Sequence, residues 1–406
     1  MTDPLPTETG DHVPRDEPFT LSSASTTLWD VIVIGAGAAG SLSARLSALN
    51  GLQTLLIEAK HFPRYKVCGG CLNPRALHVL TLAGLTNIPA TTQAVALRNI
   101  RLHAGHQSAI FSLSGSVSVS RLELDERLLE AARAAGVRIL NETTAQIDSG
   151  SDREYRTVTA RQGEATAILK TRVVVCADGL SRSSARHLPE LCSVTAPGSR
   201  VGIGTLLEND QLTDEMRASY PSGTIVMTVT RGGYIGITRA EQNRLSVAAA
   251  FDSAAIKAAG SPEAAVAKGL KCVGLPWLSD SKQVHWHGTP GLTSHANSVA
   301  AYRTFVVGDA AGYVEPFTGE GMAAALESAW SVAPLIAEAV RNWNETLIER
   351  WQTIYRLKIR RRQLACRVLS SLLRFPRLVT ASLPCFRQFP AAGRFVVSRI
   401  HASEFS

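Results

Sequence analysis

An apolar run that ends in Gly35-x-Gly37-x-x-Gly40 and is echoed far downstream by Val306-Val307-Gly308-Asp309-Ala310-Ala311-Gly312 constrains this chain more than any other feature. Val31 to Ile34 reads as a buried strand, and a helix begins within the glycines and continues through Leu42, Leu46 and Leu49. Gly35 permits a sharp turn, Gly37 lets backbone N–H groups approach a pyrophosphate, and Gly40 lets helix and strand pack closely. Ala36 and Ala38 complete this cradle, whose phosphate would sit on the positive helix N-terminus. A second apolar run, Thr54 to Ile57, ends in Glu58, 18 residues after Gly40. An acid near that spacing bonds ribose hydroxyls and disfavours a 2′-phosphate.

Two more short strands repeat this logic. Arg172 to Ala177 delivers Asp178-Gly179 at its carboxyl end, and Thr304 to Val307 delivers Gly308-Asp309. Ligands of open parallel sheets collect outside strand carboxyl ends, so Gly35, Asp178 and Asp309 are expected to face one crevice.

With 406 residues and 45% hydrophobic content the chain can bury a large core. Residues 1–28 are polar and proline-rich and read as a disordered tail without a signal peptide. No apolar window is long enough to predict a membrane span. Seven cysteines, an odd number, argue for reduced thiols in a cytoplasmic setting. The net charge of +8 is concentrated in residues 346–406, where twelve Lys or Arg face only Glu349 and Glu404. Leu347 to Leu373 there reads as a helix with interleaved apolar and cationic residues. Such a helix either packs on its own domain or makes peripheral contact with anionic lipid. The tail lacks an aromatic-basic module, so nucleic acid is not an expected partner.

Residues 96–120 and 200–251 show β-type alternation and Gly turns, which suits an antiparallel sheet. Leu124 to Gly136 reads as an amphipathic helix, and Gly321 to Trp343 as a small-residue helix bent or broken near Pro334. The expected fold is α/β, with a Rossmann-like domain built from 29–95, 121–195 and 285–345. A mainly antiparallel substrate domain occupies 96–120 and 196–284, and a basic helical segment fills 346–406.

Five motifs in order carry a resemblance. They are Gly35-x-Gly37-x-x-Gly40; Lys66-Val67-Cys68-Gly69-Gly70 with Asn73-Pro74-Arg75-Ala76-Leu77; Ser120-Arg121-x-x-x-Asp125; Asp178-Gly179; and Gly308-Asp309 with Pro316-x-Thr318-Gly319-Glu320-Gly321-Met322. Over residues 29–345 the chain resembles flavoproteins of the p-hydroxybenzoate hydroxylase type, within them the geranylgeranyl reductase-like branch. The resemblance implies FAD, with Asp309 as the ribityl-binding acid, Asp178 near the pyrophosphate and Arg121 fixing the cofactor's middle. It places Gly319, Gly321 and Met322 at a helix N-terminus under the flavin ring, whose partial positive charge stabilises the anionic reduced form.

The substrate side departs from that branch: Gly233-Tyr234-Ile235-Gly236-Ile237-Thr238 stands where a Tyr-x-Trp-x-Phe-Pro-like segment is expected. Trp286 between His285 and His287 does not reproduce the halogenase segment. The expected activity is hydride transfer from a reduced donor, NAD(P)H or another external reductant, through FAD to a hydrophobic small molecule. Reduction of a carbon–carbon double bond is preferred, with Cys68, Tyr234 and Glu320 as candidate proton donors. A flavin-dependent monooxygenase is the alternative, and a flavoprotein electron carrier is a third class. Cys68-Gly69-Gly70-Cys71 is read as a loop passing the cofactor, with a redox-active thiol pair as the competing reading. No metal site is predicted, because the motif has no second CxxC.

Overall fold

The computed structural model describes residues 19–152, 154–278, 284–315 and 319–388. Leu28–Ile34 is the centre of the first sheet, whose strand order is Ala300–Ala301, Thr304–Val306, Ala165–Cys176, Leu28–Ile34, Thr54–Ile57, Arg138–Leu140. All neighbours are parallel except the first two. Val31, Ile32 and Val33 are fully buried, as a strand covered on both faces requires. Register decides where the ligand can lie: Ile34 pairs with Ile57 and with Cys176, and Cys176 pairs with Val306. The segments bearing Gly35, Glu58, Asp178 and Asp309 therefore leave the sheet along one edge.

The strand ending at Cys176 is twice as long as the short run read from sequence. Its outer half, from Ala165, pairs antiparallel with Arg156–Gln162, and that strand pairs with Thr143–Ser151. The outer half is half-buried and alternates polar with apolar residues, so it lacks the continuous apolar signal of Val173 to Cys176.

Helices Ala38–Leu49, Arg121–Ala134 and Glu320–Arg341 pack against this domain, with Leu42, Leu46, Leu124, Leu128, Met322 and Leu326 in one apolar cluster. Glu320–Arg341 passes through Pro334 as one helix, so of the bend or break expected there the break does not occur. By length and composition this helix could cross a bilayer, but most of it is buried inside the protein.

The second sheet has the order His287–Gly291, Val201–Leu207, Leu245–Phe251, Gly233–Arg239, Thr224–Thr230, Val95–Ala104, Gln107–Ser118, Cys71–Leu72. Among the described residues, its only parallel pair joins Thr224–Thr230 to Val95–Ala104. Cys71–Leu72 and His287–Gly291 fall in segments assigned from sequence to the nucleotide domain, so the boundaries at 95 and 285 need correction. A small sheet of Ser193–Thr195, Ser294–Ala296 and Gly312–Tyr313 completes the architecture.

The tail boundary also moves. Leu21–Ser25 is a capped helix with Leu21 and Ala24 buried, and Trp29 Nε1 donates to the Ala24 carbonyl at 3.0 Å. At the other end, Thr346–Tyr355, a π-helical turn Arg356–Arg360, Arg361–Leu372 and Pro376–Gln388 follow in succession. The last helix lies on the second sheet through buried Leu383 and a ring contact of 5.6 Å between Phe386 and Phe111. Trp351 is fully buried, and its Nε1 donates to the Val306 carbonyl at 3.2 Å, tying the C-terminal helices to the strand before Asp309. Trp351→Ala is expected to cost about 3–5 kcal/mol of stability, read by equilibrium chemical denaturation. A loss under about 1 kcal/mol would contradict this anchoring role.

Candidate active site

The glycine turn is built by close approach. A Cβ on Gly40 would stand 1.7 Å from the Gly35 carbonyl oxygen, and one on Gly35, where φ is +99°, would meet the Ala177 carbonyl at 2.6 Å. Gly37 instead opens toward two guanidinium groups: a Cβ there would lie 3.4 Å from Arg121 and 3.8 Å from Arg64. Arg121 binds Asp125 through two hydrogen bonds of 2.8 and 2.7 Å, and Arg64 bridges Asp125 at 3.2 Å and Glu58 at 3.5 Å. Glu58 is buried and accepts from the N–H groups of Ala36 and Lys60 at 2.8 and 2.9 Å.

Two cavities meet here. The first is lined by Glu58, Lys60, Arg64, Asp178 and Ser181, and it shares Gly37, Lys66, Ala177 and Gly179 with the second. That second cavity, about 1350 Å³ of open space, reaches Asp309, Gly319, Gly321 and Met322 and ends among Ile100, Ile225, Met227 and Ile237. Asp178 uses one oxygen to accept the Ser184 N–H at 2.8 Å, while its other oxygen is buried without a hydrogen-bond partner. Burial pushes its carboxyl above the usual range, opposed by the Ser184 N–H and the buried Arg182 guanidinium. Asp309 receives Lys66 Nζ at 3.2 Å. Gly308 has φ of +61°, and a Cβ there would stand 2.8 Å from Cβ of Ala39. This run of acids, guanidinium groups and exposed backbone matches a dinucleotide that has hydroxyls at two ribose-like segments and a pyrophosphate between them.

The predicted proton donors separate in space. Cys68 and Tyr234 line the large cavity; Glu320 does not. Its carboxylate is buried and accepts from Asn73 Nδ2 at 2.8 Å and Arg75 at 2.6 Å, beside Glu327. It belongs to a smaller cavity with Arg362. Burial raises the Glu320 carboxyl, and Arg75 opposes that shift. Tyr234 is buried and hydrogen-bonded to Glu315, which accepts from Arg200 at 2.8 Å. Burial, then Glu315, lift its phenol well above the usual range. Cys68 Sγ accepts the Gly70 N–H at 3.4 Å. Both cysteines of the CxxC are free thiols, and burial pushes Cys71 up to about 12. Trp277 and Trp286 pack together, half-buried against the core of the second sheet, and do not line the cavity. Pro316 and Thr318 lie outside the described residues.

Sequence reasoning missed Arg64, Arg200, Tyr313 and Glu315. Arg200 and Glu315 are 115 residues apart and carry no motif, so only the fold joins them. Tyr313 follows Gly312 directly and lines the cavity.

An elongated crevice with a pyrophosphate cradle at one end and an apolar chamber at the other defines a flavin-dependent oxidoreductase. Residues 29–361 match the family described as FAD binding domain, and the chain belongs to that family. It is 27% identical to a menaquinone reductase of Mycobacterium tuberculosis over 379 residues, which cover 87% of this chain and 86% of that protein. It is 24% identical to a digeranylgeranylglycerophospholipid reductase of Methanocaldococcus jannaschii, covering 82% of this chain and 83% of the other. Among solved structures it is similar to a flavoprotein/dehydrogenase from Cytophaga hutchinsonii, with a TM-score of 0.74, 18% identity and 94% of each chain covered. The chain is thus an FAD-dependent oxidoreductase of α/β fold that acts on a small molecule and draws on an electron donor.

Asp309→Ala should lower FAD occupancy of the purified protein, weakening binding on the order of ten-fold. Flavin absorbance per protein is the readout, and full retention would refute the role of this carboxylate.

Proposed function

We propose that this enzyme reduces a carbon–carbon double bond of a hydrophobic, isoprenoid-bearing small molecule. The observation that carries this reading is the shape of the large cavity. It runs from the glycine cradle past Gly319 and Met322 into a chamber walled by Ile100, Ile225, Met227 and Ile237. That chamber suits an apolar chain, and the likeness to a menaquinone reductase and a digeranylgeranylglycerophospholipid reductase supports such a substrate.

Bound FAD, reduced by NADH or NADPH, supplies the hydride. Cys68 supplies the proton to the neighbouring carbon: its side chain lines the chamber, and its S–H has no acceptor among the described residues. Water then returns a proton to the thiolate. The Tyr234 hydroxyl donates to Glu315, so Tyr234 is assigned to shaping the chamber, with Arg200 and Glu315 holding the ring in place. Glu320 is committed to Arg75 and Asn73 and fixes the first turn of the helix that begins under the flavin ring. Gly319, φ +76°, allows that turn because a Cβ would stand 3.1 Å from Cys71 Sγ. Membrane contact is assigned to the exposed apolar residues of the basic tail, from which a lipophilic substrate would be taken up by an otherwise cytoplasmic protein.

The reading is tested by reducing the holoprotein under nitrogen and adding menaquinone or a geranylgeranyl lipid. Flavin reoxidation with formation of the hydrogenated product is expected. Reoxidation only on admission of oxygen, with a hydroxylated product, would overturn it. Cys68→Ser should lower kcat by about 10²-fold with FAD content unchanged, and an undiminished kcat would remove Cys68 from the proton step. Tyr234 stays protonated across the neutral range, so its titration should produce no alkaline limb in the pH–rate profile below about pH 10. A limb in that range that disappears in Tyr234→Phe would contradict this assignment.

A further inference from the structure

A separate cleft lies on the far side of the loop that carries Asp309. Ala311, Gly312 and Val314 form one wall, His295 and its neighbours a second, and the helices around the π turn the third of a cleft that opens to solvent. Arg356, Arg360 and Arg367 line it, and none of the three has a carboxylate partner among the described residues. Among the described residues, no Asp or Glu lines the cleft. Its other polar side chains include His295, Tyr355, Gln352, whose amide donates to Ser298 at 2.9 Å, and Gln363, whose amide donates to the Gly312 carbonyl at 2.9 Å. The π turn Arg356–Arg360 sinks Ile359 into the core while both arginines remain exposed, and interruptions of this kind recur at functional sites.

A solvated basic helix face usually carries interspersed acids, and its arginines do not converge on a recess. Here three arginines line one recess, opposite a loop whose other side bears Asp309 and Tyr313. We propose that this cleft is a binding site for a phosphate group, as a monoester or diester, on a ligand distinct from FAD. Planar guanidinium forks match phosphate oxygens, and the absence of acid from the lining favours an anion over a cation. Two sources share this chemistry. One is a phospholipid headgroup, for which Leu364 at the cleft and Val368, Leu372 and Phe375 beyond it offer exposed apolar contact. The other is the phosphate of a soluble nicotinamide nucleotide.

The test uses the full-length holoprotein and two charge-matched variants, Arg356→Gln/Arg360→Gln/Arg367→Gln in the cleft and Arg361→Gln/Arg377→Gln/Arg387→Gln outside it. Binding is measured to phosphatidylglycerol vesicles, to phosphatidylcholine vesicles, and to NADPH and inorganic pyrophosphate. At least one phosphate probe should bind, weaken at least ten-fold in the cleft variant and weaken under three-fold in the other. Preference for phosphatidylglycerol vesicles identifies the lipid source, and preference for NADPH and pyrophosphate identifies the nucleotide. Equal losses in both variants would overturn the site in favour of diffuse charge, as would failure of every probe to bind the wild type. Arg360→Glu alone should reproduce the cleft phenotype, with an unchanged melting temperature showing that the fold is intact. FAD content and double-bond reduction are read in parallel, so failure of this site is distinguishable from failure of the reductase reading.

Discussion

The near-contact between the Gly35 carbonyl and the α-carbon side of Gly40 is the constraint from which the rest of the molecule follows. With no Cβ at position 40, the helix Ala38–Leu49 seats directly on the end of the central strand. A single methyl at that place would push the helix off the strand and spoil the alignment that register has prepared among Ile34, Cys176 and Val306. The cofactor crevice is the gap left by this alignment, and the chamber beyond it exists because the second sheet is built out from the same edge.

Charge holds the segments of the crevice in place. Glu58, Arg64, Asp125 and Arg121 form a continuous buried or half-buried chain behind the glycine turn. Arg75 with Glu320 and Glu327 does the same for the helix at the other end. Arg200 with Glu315 braces the chamber wall. Buried ion pairs add little net stability when both partners are compared with apolar residues, yet removing one partner is costly. Their effect here is positional: the pairs Arg64–Asp125, Arg75–Glu320, Arg75–Glu327 and Arg200–Glu315 each join stretches of chain more than fifty residues apart and leave little freedom for the groups that face the ligand.

Much of the nucleotide half was legible because its chemistry is local. Glycines at fixed spacing, an acid after a second strand, and Asp178-Gly179 and Gly308-Asp309 after two more are dictated by backbone approach to a ligand, and each can be read within ten residues. What escaped was set by distance or by weak periodicity. The strand from Ala165 shows its apolar run only where it enters the sheet centre, and Leu21–Ser25 has too few residues to announce a helix. Arg200 and Glu315 carry no spacing that would pair them. Cys71–Leu72 and His287–Gly291 are short strands in loop-like sequence, so only the sheet reveals their allegiance. Glu320 lies beside the glycines of its motif, but Arg75 claims its carboxylate, and no pattern in the chain announces that pairing in advance.

The placement of Cys71–Leu72 has a consequence for how this enzyme admits its ligand. That pair of residues leaves the nucleotide half, adds the edge strand of the other sheet against Val117 and Ser118, and also supports the backbone of Gly319. The chain is therefore laced between the two halves as a thread is between two cloths. Prising them apart like a clamshell would unpair this strand and disturb the start of helix Glu320–Arg341. The lining of the chamber therefore draws on both halves, with Cys71 beside Ile100 and Ile225 on one side and Gly319 and Met322 on the other.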